Sequence, residues 1–418
     1  MKARCIHVFL LSLVFSIAAY KVKITNSDVV QLRANATSRP MKVGDISNHH
    51  ASNEKRRQFI SGRVADLLFR NGSQVVCTLP LNRGEDFLVP ATIEAESKGG
   101  AQFVNYRLDG CLGGGASGEA WTATDTSSSK TVVLKVMRKG IDSEIQRECA
   151  RECAFGHSLM KKLASREERK FFVDCLSFGE AEHQDSKYNI EVQEHAEGES
   201  LLQVFFFGNQ ESPPKKFPNL QSMMTVAVQM IELFEVMMAT TKTNMIRHFH
   251  QDLQIQNILA GSDHLVAIDY GSSKVCCEGK PEKCETDYPA IVAGGEVNLS
   301  IEECKKEDVE TEYKMAVTNL VDNIALLLCD PAHREQIFWA NSAEKLVKLV
   351  RAEYLPTFEE IRNKTNKEKE TWLLENILKP MFEEKNEYHS SDLNYRVWPP
   401  RFKDAILQAQ AKLGPVLT

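Results

Sequence analysis

The stretch His250-Gln251-Asp252-Leu253-Gln254-Ile255-Gln256-Asn257-Ile258-Leu259, followed by Val266-Ala267-Ile268-Asp269-Tyr270-Gly271, constrains this chain more than any other part of it. An Asp, an Asn five positions later and a second Asp after an apolar strand put three oxygen-bearing side chains on two neighbouring loops. Mg²⁺ takes hard oxygen ligands and keeps water and phosphate oxygens in its remaining positions. Asn257 and Asp269 are therefore candidate metal ligands, and Asp252 is the candidate acceptor of a proton from an incoming hydroxyl.

Upstream, Leu112-Gly113-Gly114-Gly115-Ala116-Ser117-Gly118-Glu119-Ala120 places Gly113, Gly115 and Gly118 between two strand-like runs. Without side chains the backbone can fold over a polyphosphate and aim its amides at the oxygens. Trp121 and Thr122 continue as strand after the third glycine, which separates this turn from a dinucleotide-binding fingerprint, where that glycine opens a helix. The apolar strand Val132-Val133-Leu134-Lys135 then ends in an ammonium, 22 residues after Gly113. A lysine set in an apolar strand needs a partner, because burying it alone is costly. Glu148 and Glu152 lie four apart on the helical segment that follows and share a side of it. Glu152 is the preferred partner, since Phe155 and Leu159 continue its face.

Taken in order, the glycine-rich turn, the strand lysine, the His-x-Asp-x4-Asn segment and the Asp-x-Gly segment resemble the protein kinase family. The resemblance runs from about Tyr106 to about Ile406. It implies an α+β, bilobal protein kinase fold, with a small β-rich N-lobe carrying one main helix and a larger, mostly α-helical C-lobe. It also implies ATP and Mg²⁺ as cofactors, with Asp252, Lys135, Asn257 and Asp269 as catalytic residues. By family likeness Ile190 to Gly198 is the hinge between lobes, Gln193 the gatekeeper, and the backbones of Glu194 and Ala196 the adenine contacts. Asp322 is similar to the helix residue that anchors the catalytic loop, and Arg396 to a late structural arginine, with Glu296 as the candidate for its glutamate partner.

The chain departs from the family at several points. Gln251 stands where the family carries an arginine that reads a loop phosphate, so activation by loop phosphorylation is not expected. Gln254 stands where Ser/Thr kinases carry a lysine near the transferred phosphate, which predicts slower turnover. Tyr270 replaces a phenylalanine, a mild change. The segment from Gly271 to Asp322 is long and rich in cysteine.

The N-terminus has a basic start, Met1 to Arg4, and an apolar run from Cys5 to Ala19 that is short for a bilayer span, which reads as a signal peptide over 1–19. Secretion permits disulfides. Cys276, Cys277, Cys284 and Cys304 then suit a stapled loop, with a zinc site as the alternative, and the pairing stays open. Cys149 and Cys153, four apart on a helix, suit buried thiols or a bridge. Asn35, Asn71, Asn298 and Asn363 begin glycosylation sequons. Residues 20–53 read as a disordered arm or propeptide. Residues 54–105 read as an N-terminal extension, in which a basic amphipathic helix over 54–70 either packs on the domain or touches a membrane peripherally. The N-lobe and hinge span 106–197 and the C-lobe 198–418. A net charge of −6 gives no sign of a nucleic-acid partner.

Signal peptide, basic helix, extra strands and divergent catalytic loop together resemble the secreted rhoptry-type kinases of apicomplexan parasites. That resemblance implies a secretory organelle or parasitophorous vacuole as location, and a host or vacuolar protein as substrate. The function expected is transfer of the ATP γ-phosphoryl group to protein Ser/Thr hydroxyls. Two alternatives share the residue set: a secreted pseudokinase serving as a nucleotide-binding scaffold or allosteric partner, motivated by Gln251 and Gln254, and a small-molecule kinase.

Overall fold

The computed structural model describes residues 77–413, apart from 91–102, 115–117, 139–142, 205–218, 239–245, 285–300, 390–400 and scattered single positions. The signal peptide, the arm, the segment 54–70, Gly115, Glu296 and Arg396 lie outside the described residues. Helix and sheet are mixed along the chain.

One antiparallel sheet contains six strands in the order β1-β2-β3-β4-β6-β5. They are β1 (Asp86–Pro90), β2 (Phe103–Gly114), β3 (Glu119–Asp125), β4 (Thr131–Arg138), β5 (Cys175–His183) and β6 (Ser186–Glu194). Alternation explains its inner face: Val132, Leu134 and Val136 of β4 join Tyr188, Ile190 and Val192 of β6 and Trp121 of β3 in one apolar cluster. The sheet curls until β1 meets β5, with Phe87 stacked on His183 at 4.8 Å and Glu85 Oε2 3.3 Å from His183 Nε2. The other face of β4 and β6 carries Lys135, Asn189, Glu191 and Gln193, the last three buried polar residues. That face looks towards helix α1 (Ser143–Lys162).

Beyond β6 a short strand, β7 (Glu199–Ser200), pairs with β9 (Ile258–Ala260), which pairs in turn with β10 (Leu265–Ala267). A third small sheet is formed by β8 (Ile246–Phe249), β11 (Lys274–Cys277) and β12 (Glu302–Glu303). The helices α2 (Leu220–Met238), α3 (Lys306–Leu328), α4 (Asn366–Leu373), α5 (Lys379–His389) and α6 (Phe402–Leu413) bury their apolar faces together. Leu220, Met223, Met224, Ala227, Met230, Ile231 and Phe234 supply the stripe of α2, at helical spacing. No helix among the described residues is long and apolar enough to cross a membrane.

Four disulfides join described residues: Cys77–Cys111, Cys153–Cys175, Cys276–Cys304 and Cys277–Cys284. The cluster after Gly271 is thus two bridges, and the zinc alternative is corrected, because every sulfur in it is spent on a disulfide. Cys153 bonds to β5, while Cys149 remains a buried thiol. Cystines of this number are what an oxidising compartment allows and a reducing one removes.

Candidate active site

Lys135 is the point where three elements meet. Its Nζ donates to both carboxylate oxygens of Glu152 on α1, at 2.7 and 2.5 Å, and to Asp269 Oδ1 at 3.0 Å. Of the two glutamates spaced to reach it, Glu152 makes the contact; the side chain of Glu148 lies outside the described residues. A third carboxyl, Glu191, sits directly across from Lys135 in the β4–β6 register. Burial alone would lower the lysine, but the charges of Glu152, Asp269 and Glu191 overcome it and hold its pKa well above the ordinary value. Lys135 therefore stays cationic.

Glu191 behaves differently from its neighbours. It is fully buried, and burial together with the charge of Glu152 pushes its carboxyl well above the ordinary range. Its Oε1 accepts from Gln193 Nε2 at 2.7 Å. Sequence reading assigned Glu191 no role. The missed signal is alternation, since Ile190 and Val192 face the apolar cluster while Glu191 and Gln193 share the opposite face.

The oxygen-bearing loops are zipped together by their backbones. Ile268 N donates to Asn257 O at 3.0 Å, and His250 Nε2 bonds to Ile268 O at 3.0 Å. Asn257 Nδ2 donates to Asp252 O at 2.9 Å and Asp252 Oδ2 at 3.0 Å, which leaves the amide oxygen of Asn257 as its remaining donor to a cation. Asp269 is half exposed, and Lys135 lowers its pKa, so it is an ionised carboxylate open to solvent. Burial, then the charge of Asp269, raises Asp252 to about 6. Gln251 and Asp269 both hold φ of 62°, a backbone strain of roughly 1–3 kcal/mol each that tends to collect at working sites.

Two family-based assignments shift by one place or change weight. Asp322 pairs with Lys385, and it is Asn323 whose Nδ2 donates to Leu253 O at 2.9 Å, fixing the loop from below. Tyr270 is more than a mild change: its hydroxyl donates to Val173 O and accepts from Val173 N, both at 3.0 Å. Its ring lies 5.0 Å from Phe155 and 5.5 Å from His250, and a Cβ at Gly156 would meet that ring at 3.0 Å. Helix α1 is thus packed hard against the residue after Asp269.

At the glycine-rich turn, Gly118 has φ of 155° and a Cβ there would meet Val136 O at 2.5 Å, so this glycine is required by the approach of β3 to β4. Space around Gly113 is open. Gln251 donates to Glu312 on α3, and Gln254 Oε1 accepts from Gln256 Nε2 at 2.9 Å. Glu194 is exposed at the end of β6, and its N–H donates to Asp174 O at 3.0 Å; Ala196 follows it, half buried.

The chain matches no family model and no curated protein. Among solved structures it is similar to the BubR1 kinase domain, at 15% identity, covering 89% of this chain and 94% of that chain with a TM-score of 0.42.

Proposed function

We propose that this chain is a secreted, Mg²⁺-dependent protein kinase that transfers the γ-phosphoryl group of ATP to protein Ser/Thr hydroxyls. In this reading the six-stranded sheet with α1 is one lobe, the remaining helices are the other, and the segment from Glu194 to Ala196 binds adenine. The observation that carries it is the three-way contact of Lys135 with Glu152 and Asp269, which joins a sheet cation to the oxygen-bearing loops. The donor set suits Mg²⁺, because the amide oxygen of Asn257 and the carboxylate of Asp269 are hard oxygens that remain available. Those two residues would hold the ion, which supplies charge neutralisation for the phosphates when bound.

Lys135 would bind the α- and β-phosphates, and the turn from Gly113 to Gly118 would cover them. Asp252 accepts the proton of the attacking hydroxyl as the new O–P bond forms and the bond to the ADP oxygen breaks. The disulfides and the short apolar run at the N-terminus support a secretory route. A protein substrate, a host or vacuolar one under the rhoptry-type likeness, belongs to the same proposal, as does peripheral membrane contact through 54–70.

Purified protein given radiolabelled ATP, Mg²⁺ and generic protein substrates tests the reading. Transfer that is lost in Asp252→Ala and in Asp269→Ala is expected. Mg-ATP binding with no transfer to any protein would instead favour a scaffold, and transfer only to small metabolites a small-molecule kinase.

A further inference from the structure

Helix α1 holds its catalytic-side residue, Glu152, beside a covalent tie. Cys153, the next residue, is bonded to Cys175 at the start of β5, and both cysteines are at most 1% exposed. Glu191 has a carboxyl oxygen within 4.8 Å of both sulfurs, so the bond and the Lys135 corner share one buried layer. That corner gathers three acidic side chains around one ammonium. Such an arrangement does not close by charge alone: the carboxylates of Glu152 and Asp269 share one ammonium, and a polyphosphate arriving at Lys135 adds more negative charge. A helix kept in place only by the Lys135–Glu152 contact would tend to back away as the phosphates enter.

Resting on the kinase reading, we propose that Cys153 and Cys175 are positioning residues of the nucleotide site, whose bond holds Glu152 against Lys135 with no activating event. The other bridges sit on the remaining parts that must be aligned. Cys77–Cys111 fastens the extension to β2, two residues before Gly113, and Leu79 N donates to Glu119 Oε1 at 2.6 Å on the returning strand. Cys276–Cys304 and Cys277–Cys284 fasten the segment after Asp269. Cys153–Cys175 is the bond adjacent to the ion pair, and the one whose loss should be felt by Lys135.

The test uses the full chain with Cys153→Ala/Cys175→Ala, and Cys77→Ala/Cys111→Ala as the control that also loses one bridge. The first readout needs no nucleotide: the rate at which an amine-reactive ester modifies Lys135, followed by mass spectrometry. An ammonium released from its contact with Glu152 is more open to the reagent, so the rate should rise in the first variant and stay near wild type in the control. The second readout is Mg-ATP affinity in wild-type and Glu152→Gln backgrounds. Removing the bond should weaken affinity in the first background and add nothing in the second, whereas a purely structural bridge would weaken both equally. Unchanged Lys135 reactivity in the folded double variant, or equal losses in both backgrounds, overturns the proposal. Wild-type protein that binds no Mg-ATP overturns the nucleotide reading, while Lys135 reactivity still decides the positioning role.

Discussion

Around Lys135 one ammonium faces the carboxyl groups of Glu152, Asp269 and Glu191, whereas Asp252 is largely enclosed near the charge of Asp269, with the neutral amide of Asn257 donating to its Oδ2. The sheet side of the site therefore pairs its acids with a cation, and the loop side gives Asp252 a neutral donor. Each solution has a physical cost. The sheet side keeps a crowded set of acids together beside the Cys153–Cys175 bridge that ties α1 to β5. On the loop side, burial and then the charge of Asp269 raise the pKa of Asp252. Among the described residues, the cation in contact with these carboxylates is Lys135, on the sheet side of the site.

Removing that cation should give the largest effect. Lys135→Met leaves Glu152 buried without its cation, and we expect phosphotransfer to fall about 10²–10³-fold with loss of the thermal stabilisation by Mg-ATP. Transfer kinetics beside a melting series with and without nucleotide check both parts. Retained nucleotide stabilisation would mean that the cation is structural and that the asymmetry has no bearing on ligand binding.

The loop side is probed by pH. Asp252 can take a proton only when ionised, and its carboxyl titrates at about 6 because burial and Asp269 raise it. Activity should therefore be low at acid pH, rise about tenfold per pH unit up to about 6 and level off above. Lys135 stays charged throughout this range, so the acid limb belongs to the loop side. A kcat/KM profile that is flat from about pH 5 to about pH 8 would remove Asp252 from the role of base.

A smaller effect is expected where the two sides are joined. Tyr270→Phe deletes the hydroxyl that both donates to and accepts from the Val173 backbone, leaving buried polar groups unmatched. The expected loss is about 1–3 kcal/mol of folding stability, measured by denaturant unfolding, with a larger proportional loss of Mg-ATP affinity if α1 loosens with it. Equal stability of the two proteins would show that Val173 finds other partners.

How much of this was legible in the chain differs by residue. The apolar strand ending at Lys135 and the helical face shared by Glu152, Phe155 and Leu159 are local patterns, and local patterns survive in one dimension. Glu191 is also local, but it reads as part of a hinge strand until the opposite face of Ile190 and Val192 is accounted for. Asn323 and Asp322 are neighbours on α3, rotated about 100° apart on the helix, and only the packing of α3 says which of them looks at Leu253. The bridge between Cys77 and Cys111, 34 residues apart, depends on how the extension lies across β2, which spacing does not contain.

The last test asks whether the loop side can be given the charge it lacks. Gln254 is exposed, and its side-chain oxygen accepts from Gln256, so a lysine there displaces one surface hydrogen bond and no core contact. A cation near the transferred phosphate should raise kcat a few-fold, less than the ~10²–10³ that a preorganised donor contributes, because an exposed ammonium is screened by water and salt. The same charge would lower the pKa of Asp252 and move the acid limb of the pH profile down. A faster Gln254→Lys protein with that limb displaced would locate the missing charge on the loop side. A faster protein with the limb unmoved would place the lysine's effect on the phosphate alone, and no gain at all would mean that the sheet-side cation already does what the reaction requires.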